Sequence, residues 1–173
     1  MFLETQVYRR AWSFMSHPPD PAHLRRAIEL ATQNVLAGTG GPFAAVIVRD
    51  GQVIAEAANS VTTTNDPTAH GEINAIRKAC AALGTFTLAG CEIYSSCEPC
   101  PMCLAAIYWA RLGAIYYGSN QQDAAKAGFD DAFLYEEIRR TADARSIPAV
   151  QLLQSEAWQA FATWIAQPTK IDY

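Results

Sequence analysis

The chain has 173 residues, 50% of them hydrophobic and 17% charged, which suits one core-forming domain and excludes an intrinsically disordered chain. Thirteen Lys and Arg against seventeen Asp and Glu leave a formal charge of −4, which argues against a dedicated nucleic-acid binder because phosphate contacts need a basic face. Five cysteines, three of them clustered at 97, 100 and 103, do not form an even disulfide framework and point to metal or catalytic use in a reducing compartment, the cytoplasm. No apolar run approaches the roughly 18 residues that span a bilayer.

Residues 1–19 carry no clean periodicity and end in His17-Pro18-Pro19, which is hostile to a helix. They read as an N-terminal extension, either a disordered tail or an upstream start. The alternative is a short arm that packs Phe2, Trp12 and Phe14 on a partner. Asp20 with Pro21 is a helix start, and Leu24, Ala27, Ile28, Ala31 and Val35 follow helical spacing up to Gly38. Residues 43–48 form an apolar strand, Asp50-Gly51 a hairpin turn, and residues 52–58 the partner strand. The Thr-rich stretch 59–67 is a loop. A helix is expected over 68–83, a strand over 91–96, a helix over 100–111 and a strand over 114–118. Loop and helix fill 121–138, a last strand covers 150–153, and an amphipathic helix covers 156–166. This alternation predicts an α/β fold, a three-layer α/β/α sandwich around a mixed five-stranded sheet. The domain proper spans 20–166, and residues 167–173 form a tail.

Two short motifs carry chemistry. His70-Gly71-Glu72 opens one helix, and Pro99-Cys100-Pro101-Met102-Cys103 opens the next. Cys100 and Cys103, three apart, share a helical face in a first turn, where the helix dipole favours thiolates. One His and two Cys leave the fourth tetrahedral position of a zinc ion open for water, as in catalytic sites. Glu72 is placed to move protons rather than to ligate. Cys97 precedes the helix and reads as a packing residue beside the site, and Cys80 and Cys91 read as core.

The pattern H-x-E…P-C-x-x-C resembles the zinc-dependent nucleobase deaminases of the cytidine deaminase-like fold. The resemblance implies one zinc per chain, held by His70, Cys100 and Cys103, with Glu72 as the catalytic proton shuttle. Residues 40–48, 65–80, 96–111 and 127–138 are further similar to bacterial guanine deaminases. That likeness implies substrate contacts at Phe43 (stacking on the purine), Asn59 (hydrogen bonds to its edge), Trp109 and Tyr173, and a catalytic role for Asp131 toward the amine or its proton. Trp109 also falls at core spacing from Ala105 and Leu112. Gly71 departs from the Ala most members carry, at a cost of roughly 1 kcal/mol in helix propensity.

The implied activity is hydrolysis of guanine to xanthine and ammonia in purine catabolism. Guanosine, cytosine, adenine and transfer-RNA adenosine deamination are the enzymatic alternatives. A structural zinc-binding interaction module, with Cys97 as a fourth ligand, is the alternative outside enzymes. The resemblance also implies a homodimer, through helix residues 104–109 or a swapped C-terminal segment, with Tyr173 closing the pocket over a small purine base.

Overall fold

The computed structural model describes residues 18–172. The expectation for residues 1–17, and the capping role of Tyr173, lie outside the described residues.

Helix α1 (Pro21–Leu36) starts where expected. The Asp20 carboxylate accepts from the Ala22 amide at 2.8 Å, and Pro21 occupies the first turn. Strands β1 (Ala44–Arg49) and β2 (Gln52–Ala58) form an antiparallel hairpin. Its turn residues Asp50 and Gly51 have φ of 49° and 74°, the left-handed pair of a tight hairpin turn. A one-turn helix α2 (Val61–Thr64) interrupts the polar loop, followed by α3 (Gly71–Leu83), β3 (Cys91–Cys97), α4 (Pro101–Trp109) and β4 (Ala114–Ser119). Helices α5 (Gln121–Lys126), α6 (Asp131–Arg139) and α7 (Gln154–Ala166) complete the chain.

The sheet order is β2-β1-β3-β4, antiparallel except for the parallel β3–β4 pair. The central strands alternate between two cores. Ala45, Ile47 and Ile93 face α3 and α4 through Ala75, Ala79 and Ile107. Val46, Val48 and Tyr94 face α1 through Ala27. Both faces are covered, which is why β1 reads as one unbroken apolar run. The three-layer arrangement and the mixed sheet are as expected.

The sheet has four strands, not five. Residues 150–153 are exposed and pair with no strand among the described residues. A strand needs a neighbour as well as an apolar run, and β4, last in the sheet order, pairs only with β3.

Buried Asn34 fixes the loops beside the site. Its amide donates to the carbonyls of Gly41 (2.9 Å) and Asn59 (2.8 Å), tying together the segments that carry Phe43 and Asn59. Gly71 is a requirement here rather than a penalty. A Cβ at this position would lie 2.7 Å from the Ala44 Cα, so the N-terminus of α3 rests directly on the β1 backbone. Gly71→Ala is therefore expected to destabilise the fold by about 1–3 kcal/mol, as overpacking does, despite a propensity gain of about 1 kcal/mol. Chemical denaturation checks this, and an undiminished midpoint would mean that β1 gives way freely.

Candidate active site

The N-termini of α3 and α4 converge. His70 is the N-cap of α3 and Cys100 the N-cap of α4, and neither side chain caps its own helix. Both are turned instead to a common point with Cys103, in the first turn of α4. The ligand atoms of His70, Cys100 and Cys103 all lie within 4.8 Å of one another. The His70 Nδ1 is 3.6 Å from the Cys100 Sγ and 3.5 Å from the Cys103 Sγ. Tetrahedral zinc with bonds of about 2.0–2.1 Å to nitrogen and 2.3 Å to sulfur sets such donors about 3.5 Å apart. The donor set and its spacing therefore fit zinc, with a fourth position open.

In the protein alone the thiols share protons unequally. Cys100 is drawn down to about 4, first by a hydrogen bond from Cys103 and then by His70, against its burial. Cys103 is pushed up by the same bond and by burial. His70 is raised by its bond to Cys100. Two helix N-termini aimed at one thiolate favour its charge.

Glu72 follows His70 by two residues and is only 4% exposed. Its Oε1 accepts from the Ser95 hydroxyl at 3.2 Å. Burial pushes its carboxyl above the usual carboxylate range, with His70 and Ser95 pulling the other way. It stays outside the three-donor group, so it is a buried acid beside a metal site, suited to proton transfer. Ser95 was missed in the sequence, although two serines in an otherwise apolar buried strand, Ser95 and Ser96, were a signal. Asn74 also escaped notice. Its amide donates to the carbonyls of Ala58 and Ala69 and to the Ser60 hydroxyl, clamping the loop that delivers His70.

The structure brings three further predicted residues toward this site. Phe43 immediately precedes Ala44, whose backbone touches the α3 N-terminus. Its ring meets Phe129 edge-on, centroids 4.7 Å apart at 79°. Asn59 is buried, and its Oδ1 accepts from Val61 (3.2 Å) and Gly41 (3.4 Å). Asp131 opens α6. Its carboxyl is raised by burial and by the Cys100 charge, while His70 lowers it. Trp109 is placed differently. It is 62% exposed at the end of α4 and lines a groove with the tail residue Ile171 and with Ile73 and Ala106, which pack against Cys100 and Cys103. Cys97 is buried, its thiol directed to the Asn120 carbonyl at 3.7 Å and pushed up to about 11 by burial, and it is not one of the three clustered donors.

A mixed sheet with a His/Cys/Cys cluster at two converging helix N-termini and a buried Glu alongside defines a class of zinc enzymes. The family described as "Cytidine and deoxycytidylate deaminase zinc-binding region" matches residues 18–119, and the chain belongs to it. The chain is 55% identical over 150 residues to the guanine deaminase of Bacillus subtilis, covering 87% of this chain and 96% of that protein. The X-ray structure of guanine deaminase from Bacillus subtilis aligns with a TM-score of 0.86 at 52% identity, covering 90% of this chain and 99% of that one. The transfer-RNA-specific adenosine deaminase of Agrobacterium fabrum is 51% identical over only 79 residues, 46% of this chain and 52% of that protein.

The donor set makes a direct prediction. Cys103→Ala should lose zinc, and with it stability, since metal binding and folding are coupled. Cys97→Ala should keep one zinc per chain. Atomic absorption decides both, and a fully loaded Cys103→Ala protein would dismantle the assignment.

Proposed function

We propose that this chain is a zinc-dependent guanine deaminase that hydrolyses guanine to xanthine and ammonia. The observation that carries the reading is the pairing of a three-donor zinc site with the buried carboxylate of Glu72. A structural zinc site needs neither an open position nor a buried acid beside it. The choice of guanine is supported by the near end-to-end identity with the Bacillus subtilis protein of that name. The adenosine deaminases acting on transfer RNA match less of the chain, and the charge of −4 suits a small neutral base better than a polyanion.

Zinc, when bound, supplies the chemistry of an activated water at neutral pH. The chain's residues do the rest. Phe43 stacks on the purine, with Phe129 against it, and the amide nitrogen of Asn59 holds a ring-edge acceptor. Glu72 takes one proton from the attacking water and gives it to the ring nitrogen next to C2, then takes the second from the new C2 hydroxyl and gives it to the amine as the C2–N bond breaks. Asp131 accepts a hydrogen bond from the amine that leaves. Water oxygen ends on C2, and the amino group leaves as ammonia. Glu72→Gln should retain zinc and lower turnover at least about a hundredfold. Ammonia release from guanine, guanosine, adenine, cytosine and cytidine tests the substrate. Turnover of guanosine at the rate of guanine would replace this reading with a nucleoside deaminase.

The chain also works as a homodimer with an exchanged C-terminal arm, on this proposal. Helix α7 buries none of its residues, and Val150, Leu152, Trp158 and Phe161 stand exposed along the same arm. Apolar surface so extended is a mark of an interface. A second copy supplies the cover and the neighbour that residues 150–153 lack, and its tail places Tyr173 over the base. No described helix is long and apolar enough to cross a membrane, and unpaired thiols suit the cytoplasm. Light scattering should give twice the 18.9 kDa chain mass. Deleting residues 170–173 should keep zinc, lower activity on guanine and admit bulkier substrates. A monomer in solution ends the exchange, and wild-type rates after deletion end the capping role.

A further inference from the structure

Asp131 sits on a helix with little else to hold it. The outward side chains Phe133, Leu134 and Ile138 of α6 are exposed. The one buried residue of α6, Glu137, spends its carboxylate locally, on the Ser146 amide and hydroxyl and on Arg140. Among the described residues, a single side-chain hydrogen bond joins α6 to the body of the domain. The Tyr135 hydroxyl donates to the Pro99 carbonyl at 2.7 Å.

The location of that bond gives it a use. Tyr135 follows Asp131 by four residues, so the two share one face of α6. The Pro99 carbonyl lies in the same rigid peptide plane as the amide nitrogen and Cα of Cys100, a zinc donor. Pro99 and Pro101 flank Cys100 and stiffen that turn further. A hydroxyl on the Asp131 face is thus fastened one peptide unit from the metal ligand.

We propose that Tyr135 is a positioning residue: its bond to the Pro99 carbonyl latches α6 to the metal-ligand turn and so sets Asp131 at a fixed place relative to Cys100. The inference rests on the role given to Asp131 above. Tyr135→Phe removes the hydroxyl and keeps the ring, so packing survives. The carbonyl is left to water and α6 is free to drift.

The test is a double-mutant cycle on guanine with Tyr135→Phe, Asp131→Asn and the two together. Tyr135→Phe should lower kcat about fivefold, the worth of one ordinary hydrogen bond, with zinc content unchanged and KM within about twofold. The loss should vanish in the Asp131→Asn background, because a latch has no effect once the group it positions is gone. A role in packing alone would move the unfolding midpoint and leave kcat untouched. Wild-type kcat in Tyr135→Phe overturns the inference, as does an equal loss in both backgrounds, which would place the action of Tyr135 on the metal turn. An Asp131→Asn enzyme at the wild-type rate overturns the role of Asp131 together with the inference. That result is distinct from the first two, in which Asp131 still matters and only the latch fails.

Discussion

Two helix N-termini must meet at one point beside the sheet, and the rest of the site depends on their doing so. His70 and Cys100 each occupy the N-cap of a helix, a position whose side chain usually satisfies the helix's own amides. Both are withdrawn from that task, which leaves amide donors and two positive dipole ends directed at the thiols. The convergence is steric as much as electrostatic. Helix α3 reaches the sheet because position 71 has no side chain to strike Ala44. The same approach brings Glu72 under β3, where the Ser95 hydroxyl donates to it. One backbone contact thus sets the metal cluster beside the segment that carries Phe43.

The ligand set was legible in the sequence because its determinants are local. A His two residues before a Glu, and two Cys one helical turn apart, keep their relation wherever the helices go. The hairpin at Asp50-Gly51 and the start of α1 were legible for the same reason. What escaped depended on partners distant in the chain. Ser95 meets Glu72 across 23 residues, and Tyr135 meets Pro99 across 36. Gly71 was read as a cost in helix propensity, since nothing nearby in sequence announces Ala44. Trp109 had both a core and a pocket reading; its exposure ends the core reading, and it lines a groove with Ile73, Ala106 and the tail residue Ile171.

The missing fifth strand is an error of a different kind. Residues 150–153 have the apolar composition of a strand, and composition is all that one sequence offers. Pairing requires a neighbour, and the free edge of β4 is not met by this segment of the same chain. The arm from Arg140 onward keeps its own local order instead. Arg140 and Ser146 converge on Glu137, and α7 stacks Trp158 near Phe161, centroids 5.7 Å apart. On the dimer proposed above, the second copy covers this apolar face.

Charge balance accounts for why the site wants a divalent cation. Cys100, Cys103 and Glu72 are buried acids, and His70 is the cationic group among the causes that act on them. Burying several negative charges with so little compensation is expensive. In the protein alone the bond to Cys100 holds the proton on Cys103, and burial raises the proton affinity of Glu72. A zinc ion would balance the two thiolates and leave Glu72 as the remaining buried carboxyl. Such a group is a better proton acceptor than an exposed glutamate and can still release what it takes. Cys97 would add a third thiolate and remove the open position. Its burial against the Asn120 carbonyl, as a neutral thiol, keeps the count at two and the fourth position available to water.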